Sequence, residues 1–186
     1  MKQITESWLI KNEACQEGID WFNRRHDKSL IGVFRALRRE KLWGYSDWLI
    51  GSSLNKKQAV SVAVFSARLC LGRFQEKYPD DKIPEKVIKC AEDYLKSPCA
   101  RTKLAARSAA RSTEWSARYT EWSAEYVWAA AMSAAWAAES AGRSAESSTR
   151  AAAMSVACAG MSAGSAESAA RSAIIGEVIR ILEELG

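Results

Sequence analysis

The sequence predicts an all-α protein, a compact array of short helices followed by an alanine-rich, close-packed helical layer. Three observations carry that prediction. Ten glycines and three prolines in 186 residues are too few for the frequent turns of a β-sandwich or barrel. Apolar residues in the first half recur at steps of three and four, the period of a helix with one buried face. From 110 to 173 every seventh residue is alanine, a repeat that belongs to helices with a small-residue flank. Hydrophobic residues make up 48% of the chain and tryptophan occurs eight times, which excludes disorder throughout and supplies a core.

The first helix starts at Thr5, whose hydroxyl can accept an amide of the first turn, and carries Trp8, Leu9 and Ile10. A second follows through Ala14, Cys15, Gly18, Trp21 and Phe22, with small residues on one face. Asp27 is the expected cap of a third, with Leu30, Val33, Phe34 and Leu37 facing inward. Ser46 is expected to open a short helix holding Trp48, Leu49 and Ile50. Asn55 precedes the strongest one, where Val60, Val64, Ala67, Leu71 and Phe74 form one stripe that ends at Pro79. Pro84 suits the first turn of the next, whose inward face is Val87, Ile88, Ala91, Tyr94 and Leu95. Ser97-Pro98 stops it.

Beyond Pro98 the composition changes. Up to Lys103 there are 20 Lys+Arg against 13 Asp+Glu; from Leu104 onward, 7 arginines against 9 glutamates. The expected organisation is a basic short-helix segment over 1–98 and an Ala/Ser-rich helical segment over 99–186, packed together as one domain. A straight helix drifts about 20° per heptad, so the alanine column requires supercoiling or interruption. The spacing predicts a long helix over about 101–141, then two shorter ones. Gly142, a capping trio Ser147-Ser148-Thr149, and Gly160 with Gly164 are the expected breaks.

Within the tract, Trp115, Tyr119, Trp122 and Tyr126 share a face opposite Thr113, Ala117, Thr120 and Ala124. Glu114 and Arg118 form an i,i+4 pair on a third face. The small-residue face admits a neighbouring helix closely. The aromatic face must bury in a core or meet a partner, since Trp, Tyr and Arg are enriched in interfaces. The candidate partner-binding residues are therefore Trp115, Arg118, Tyr119, Trp122, Tyr126 and Trp136, with Arg35, Arg38 and Arg39 from the basic segment.

The opening residues ITESWLIKNEACQEGIDWF resemble a short N-terminal module of bacterial and phage proteins. The stretch from Asp47 to Leu95 resembles an immunity-protein family linked to bacterial polymorphic toxin systems. Its best motif is Tyr78-Pro79-Asp80-Asp81 with Pro84, between a KKQAV helix and a Pro-started one. The resemblance implies an all-α protein that neutralises a partner toxin, or a phage relative that acts on a host factor. It implies no catalytic residues. The chain departs from that family in having serine and arginine where tyrosine and aspartate are common in the tract.

Motifs for chemistry are sparse. There is no GxSxG, P-loop or Gly-rich phosphate fingerprint. His26 is the only histidine, and Cys15, Cys70, Cys90, Cys99 and Cys158 form no CxxC, so zinc is not expected and the cysteines read as buried thiols. Asp80 and Asp81 flank a proline turn and read as turn chemistry. No catalytic residue, metal or cofactor is expected. The basic run Arg24, Arg25, Arg35, Arg38, Arg39, Lys41, Lys56 and Lys57, with Trp43 and Tyr45 between, could meet nucleic acid or an acidic protein. No 18-residue apolar run or signal-like N-terminus occurs, so the expected location is cytoplasmic, in the host if phage-encoded. The expected function is stoichiometric binding and neutralisation of a protein partner. The alternatives are a small-nucleotide sponge lined by Trp and Arg, and nucleic-acid binding through the basic segment. Self-association of the tract remains open to either.

Overall fold

A computed structural model describes residues 3–119 and 125–185, with side chains outside the description at 114–119, 125–128, 130–131, 134 and 145–146. The chain folds as α1 (Glu6–Lys11), α2 (Gln16–Asn23), α3 (Leu30–Glu40), α4 (Trp43–Ser53), α5 (Lys56–Lys77) and α6 (Ile83–Lys96). Then follow α7 (Ala100–Tyr119), α8 (Glu125–Gly142), α9 (Ala145–Ser162), a 3-10 turn at Gly164–Ala166, and α10 (Glu167–Leu185). Among the described residues there is no strand, only an isolated bridge between Gln3 and Ser29. The fold is all-α.

Local signals set most helix ends. Thr5 accepts the Trp8 amide at 3.2 Å. Asn55 and Gln58 form a reciprocal capping box at 3.0 and 2.9 Å, which explains the firm start of α5. Pro84 lies in the first turn of α6. Three expected starts shift. Ser29 caps α3 by accepting the Gly32 amide at 3.0 Å, because the Asp27 carboxylate is taken by the Ser29 amide at 2.9 Å. Gly32 leaves room for that carboxylate: a Cβ there would lie 2.1 Å from it and displace it. α4 begins at Trp43 rather than Ser46, since Lys41 adopts a left-handed conformation (φ 56°) that ends α3 and lets the chain re-enter a helix at once. Ser46 instead donates to the Leu42 carbonyl inside the first turn. Ser147, Ser148 and Thr149 lie within α9, whose N-cap is Ser144.

The expected long helix over 101–141 is two helices. α7 and α8 pack side by side, with Arg107 against Gly142. The heptad phase runs on from one to the other, so the sequence pattern alone could not show the division. Gly142 ends α8, and Gly164, at φ +54°, separates α9 from α10.

α5 is the centre of the bundle, packed against α6, α8, α9 and α10. Phe34, Ile50, Phe74, Ile88 and Ile174 are fully enclosed in the core. The α8–α9 interface has a different chemistry. Ala138, Ala152 and Ala159 are buried, and serines pair across the helices seven residues apart. The Ser133 and Ser155 hydroxyls lie 3.0 Å apart, each 3.0 Å from the other's carbonyl, and the Ser140 hydroxyl lies 3.0 Å from both the Ser148 hydroxyl and its carbonyl. Ser155 also reaches the Ala63 carbonyl of α5 at 3.1 Å. Small side chains let the helices approach closely, so each hydroxyl finds a carbonyl across the interface instead of remaining an unpaired buried group. The alanine column continues to Ala166 and Ala173, which are exposed, because α10 buries Ile174, Ile175, Val178 and Leu182 instead.

Long-range polar bonds hold α10 in place. Arg171 donates to both Asp47 oxygens at 3.1 and 2.8 Å, and to Glu167 at 2.7 Å. Gly160 leaves room for that guanidinium; a Cβ there would stand 2.7 Å from Arg171 Nε.

Candidate functional site

The helices before α5 enclose an apolar pocket of about 230 Å³. Its walls follow from helical spacing. Leu9 comes from α1; Gly18, Trp21 and Phe22 from one face of α2; Val33 and Leu37 from α3; and Tyr45, Trp48 and Leu49 from α4. Glu13, Ala14 and Cys15 form the turn beside it. The side chains at Ala14, Cys15 and Gly18 are too small to close the space their backbone surrounds. Trp48 meets Trp8 edge-on at 5.9 Å, which stiffens one wall.

Trp21 links the pocket wall to polar neighbours. The Trp21 indole donates to Glu40 Oε2 at 2.7 Å, Arg25 bridges Glu40 Oε1 at 2.6 Å, and the same guanidinium lies 4.5 Å over the Trp21 ring. That indole bond, followed by the Arg25 charge, holds the Glu40 carboxyl below its usual range despite some desolvation. Desolvation, then the Cys15 thiol, pushes the Tyr45 hydroxyl up. Glu13 stands at φ 60°, a left-handed position that normally favours glycine, where the chain turns from α1 into α2.

The residues singled out from sequence distribute differently. Arg35 pairs with Glu183 at 2.8 Å and Arg38 donates to Ser172 at 2.8 Å, so both tie α3 to α10. Arg39 is exposed, 3.6 Å from Glu40. Lys56 of the basic run donates to the Arg143 carbonyl at 2.6 Å and lies over Tyr94. Trp136 is half-buried against the core. The side chains of Trp115, Arg118, Tyr119 and Tyr126 lie outside the described residues, as does Trp122 altogether, so the aromatic stripe and its small-residue counterface at Ala117 and Ala124 are not placed. The pocket was missed as a cavity, although Ala14, Cys15, Gly18, Trp21 and Phe22 were legible as a helical face.

Of the cysteines, Cys70 and Cys158 are buried thiols as expected, but Cys15 and Cys99 are exposed and Cys90 is intermediate; the short α2 and the α6–α7 junction bring too little structure over them. Asp81 accepts the Ile83 amide at 2.8 Å, the turn role its sequence suggests. No group of His, Cys, Asp and Glu converges as a metal site requires among the described residues. No helix among them is long and apolar enough to cross a membrane. No family model, no curated protein and no solved structure matches this chain.

Proposed function

We propose that this chain is a non-catalytic helical binding protein that neutralises a protein partner by stoichiometric binding, in the manner of a toxin-immunity protein or a phage-encoded inhibitor. The pocket beside Trp21 and Trp48 carries the reading, as the receptor for one apolar side chain of the partner. Its size favours that occupant. A cavity of about 150 Å³ holds benzene, whereas drug-sized ligands occupy roughly 300–1,000 Å³. At about 230 Å³ the space suits an aromatic or branched side chain. Buried aromatic anchors of this kind dominate protein interfaces. The left-handed Glu13 beside the pocket supports the reading, since such strain collects where a site must be held in shape.

N-acetyltryptophanamide, a mimic of a tryptophan anchor, tests the pocket. Saturable one-to-one binding is expected, protecting Cys15 from alkylation. Gly18→Leu places a side chain in the pocket and should abolish it. No binding by the folded protein, or binding unchanged in Gly18→Leu, would contradict the assignment.

A further inference from the structure

Where α7 crosses α8 and α9 begins, the surface forms a groove of about 360 Å³ that is independent of the apolar pocket. Lys103, Arg107 and Arg111 enter it from one face of α7, at steps of four residues. Arg143 enters from the end of α8. The only acid among the described lining residues is Glu139, whose carboxylate accepts from Arg143 at close range. Lys103, Arg107 and Arg111 form no ion pair among the described residues. Like charges four residues apart on a helix oppose folding by about 0.2–0.5 kcal/mol per pair, and no described acid pairs with the three cations of the row.

The groove is built by close packing. Gly142 lets α7 lie directly on α8: a Cβ at that position would stand 2.9 Å from Arg107 Cβ and 3.1 Å from its Cα. Any side chain there would lift Arg107 away. Lys56 of α5 grips the Arg143 carbonyl at 2.6 Å, so the loop carrying Arg143 is held from the other side. The cations define the charge of the site. The amino end of α9 adds to it, because the Ser144 side chain makes no capping bond to the first-turn amides.

We propose that this groove binds a small multivalent oxyanion, the phosphate chain of a polyphosphate or nucleotide. Guanidinium groups supply paired donors suited to phosphate oxygens, and several converge here. The described lining contains no aromatic side chain on which a base could stack. Recognition is therefore of the phosphate chain, whichever molecule carries it.

Calorimetric titration of the full chain with inorganic tripolyphosphate and with ATP, at low salt, tests the proposal. Saturable one-to-one binding is expected, with the two ligands equal within a few-fold. Arg107→Glu/Arg111→Glu should weaken both by about tenfold or more, because charge-assisted bonds are lost and repulsion is added. Arg24→Glu/Arg73→Glu, both exposed and in no ion pair among the described residues, should leave both unchanged. If the double reversal fails to fold, the exposed single changes Lys103→Gln and Arg111→Gln should each still lose several-fold. Binding absent at millimolar ligand, or equal in the variants, would overturn the proposal. So would ATP binding far tighter than tripolyphosphate, which requires base recognition. A single-stranded oligonucleotide that outcompetes both would overturn it in favour of a nucleic-acid backbone.

Discussion

The indole of Trp21 donates to the Glu40 carboxylate across 2.7 Å, joining the wall of the apolar pocket to the last turn of α3. Arg25 completes the arrangement by pairing with Glu40 and covering the ring. One carboxylate thus fixes the orientation of a tryptophan that any occupant of the pocket must touch.

The arrangement depends on pH with a defined sign. Glu40 is held below the ordinary glutamate range of about 4.3, so the folded state binds its proton less readily than the unfolded chain does. Its contribution to stability is complete above that range and disappears as pH falls through the lowered folded value. Glu40→Gln should therefore be less stable than the parent at neutral pH, and the deficit should shrink in acid. Denaturant titrations at the two pH values measure it.

The Ala/Ser interface should resist enlargement. Ala138→Leu or Ala152→Leu inserts a branched side chain where no exposed surface remains, and should cost about 1–3 kcal/mol by overpacking. Thermal melts followed by circular dichroism give the answer. Unchanged stability in both would mean that α8 and α9 do not approach closely.

Gly142→Ala should also destabilise, by about 1–3 kcal/mol, because its Cβ meets the α7 backbone beside Arg107. Intrinsic helix propensity alone predicts the reverse, a gain of about 1 kcal/mol. The sign of the measured change separates the two effects.

Thiol reactivity should follow burial and charge. The Thr102 amide and hydroxyl hold the Cys99 thiol below its ordinary value at an exposed position. Burial pushes Cys158 up to about 11 and raises Cys70 as well. Near neutral pH a disulfide reagent should consume Cys99 early and leave Cys70 and Cys158 protected until denaturant is added. Mass spectrometry of quenched samples gives the order.

What was legible in the sequence was local. Asn55, Pro79, Pro84 and Ser97-Pro98 mark helix ends by their own local preferences, and α5 and α6 begin and end beside them. The features that failed depend on partners far along the chain. Ser133 and Ser155 read as solvent-facing residues until a facing helix brings their hydroxyls together. Arg38 looks like part of a basic patch until Ser172, 134 residues away, accepts from it. The row Lys103, Arg107, Arg111 carries no signal in the sequence, because its groove exists only where Gly142 admits α7. The pocket had the same fate, since a face of small and aromatic residues does not reveal whether its neighbours fill the gap.

The central claim is neutralisation by stoichiometric binding through the pocket. Its most direct measurement takes the products of neighbouring genes as candidate partners, selects one with toxic activity, and titrates that activity against the purified protein, parent and Gly18→Leu side by side. Inhibition by the parent should be complete at molar equivalence. Gly18→Leu, folded by circular dichroism, should bind more weakly by about 2 kcal/mol, some thirtyfold. Failure to inhibit, inhibition far below molar equivalence, or full potency in Gly18→Leu would contradict it.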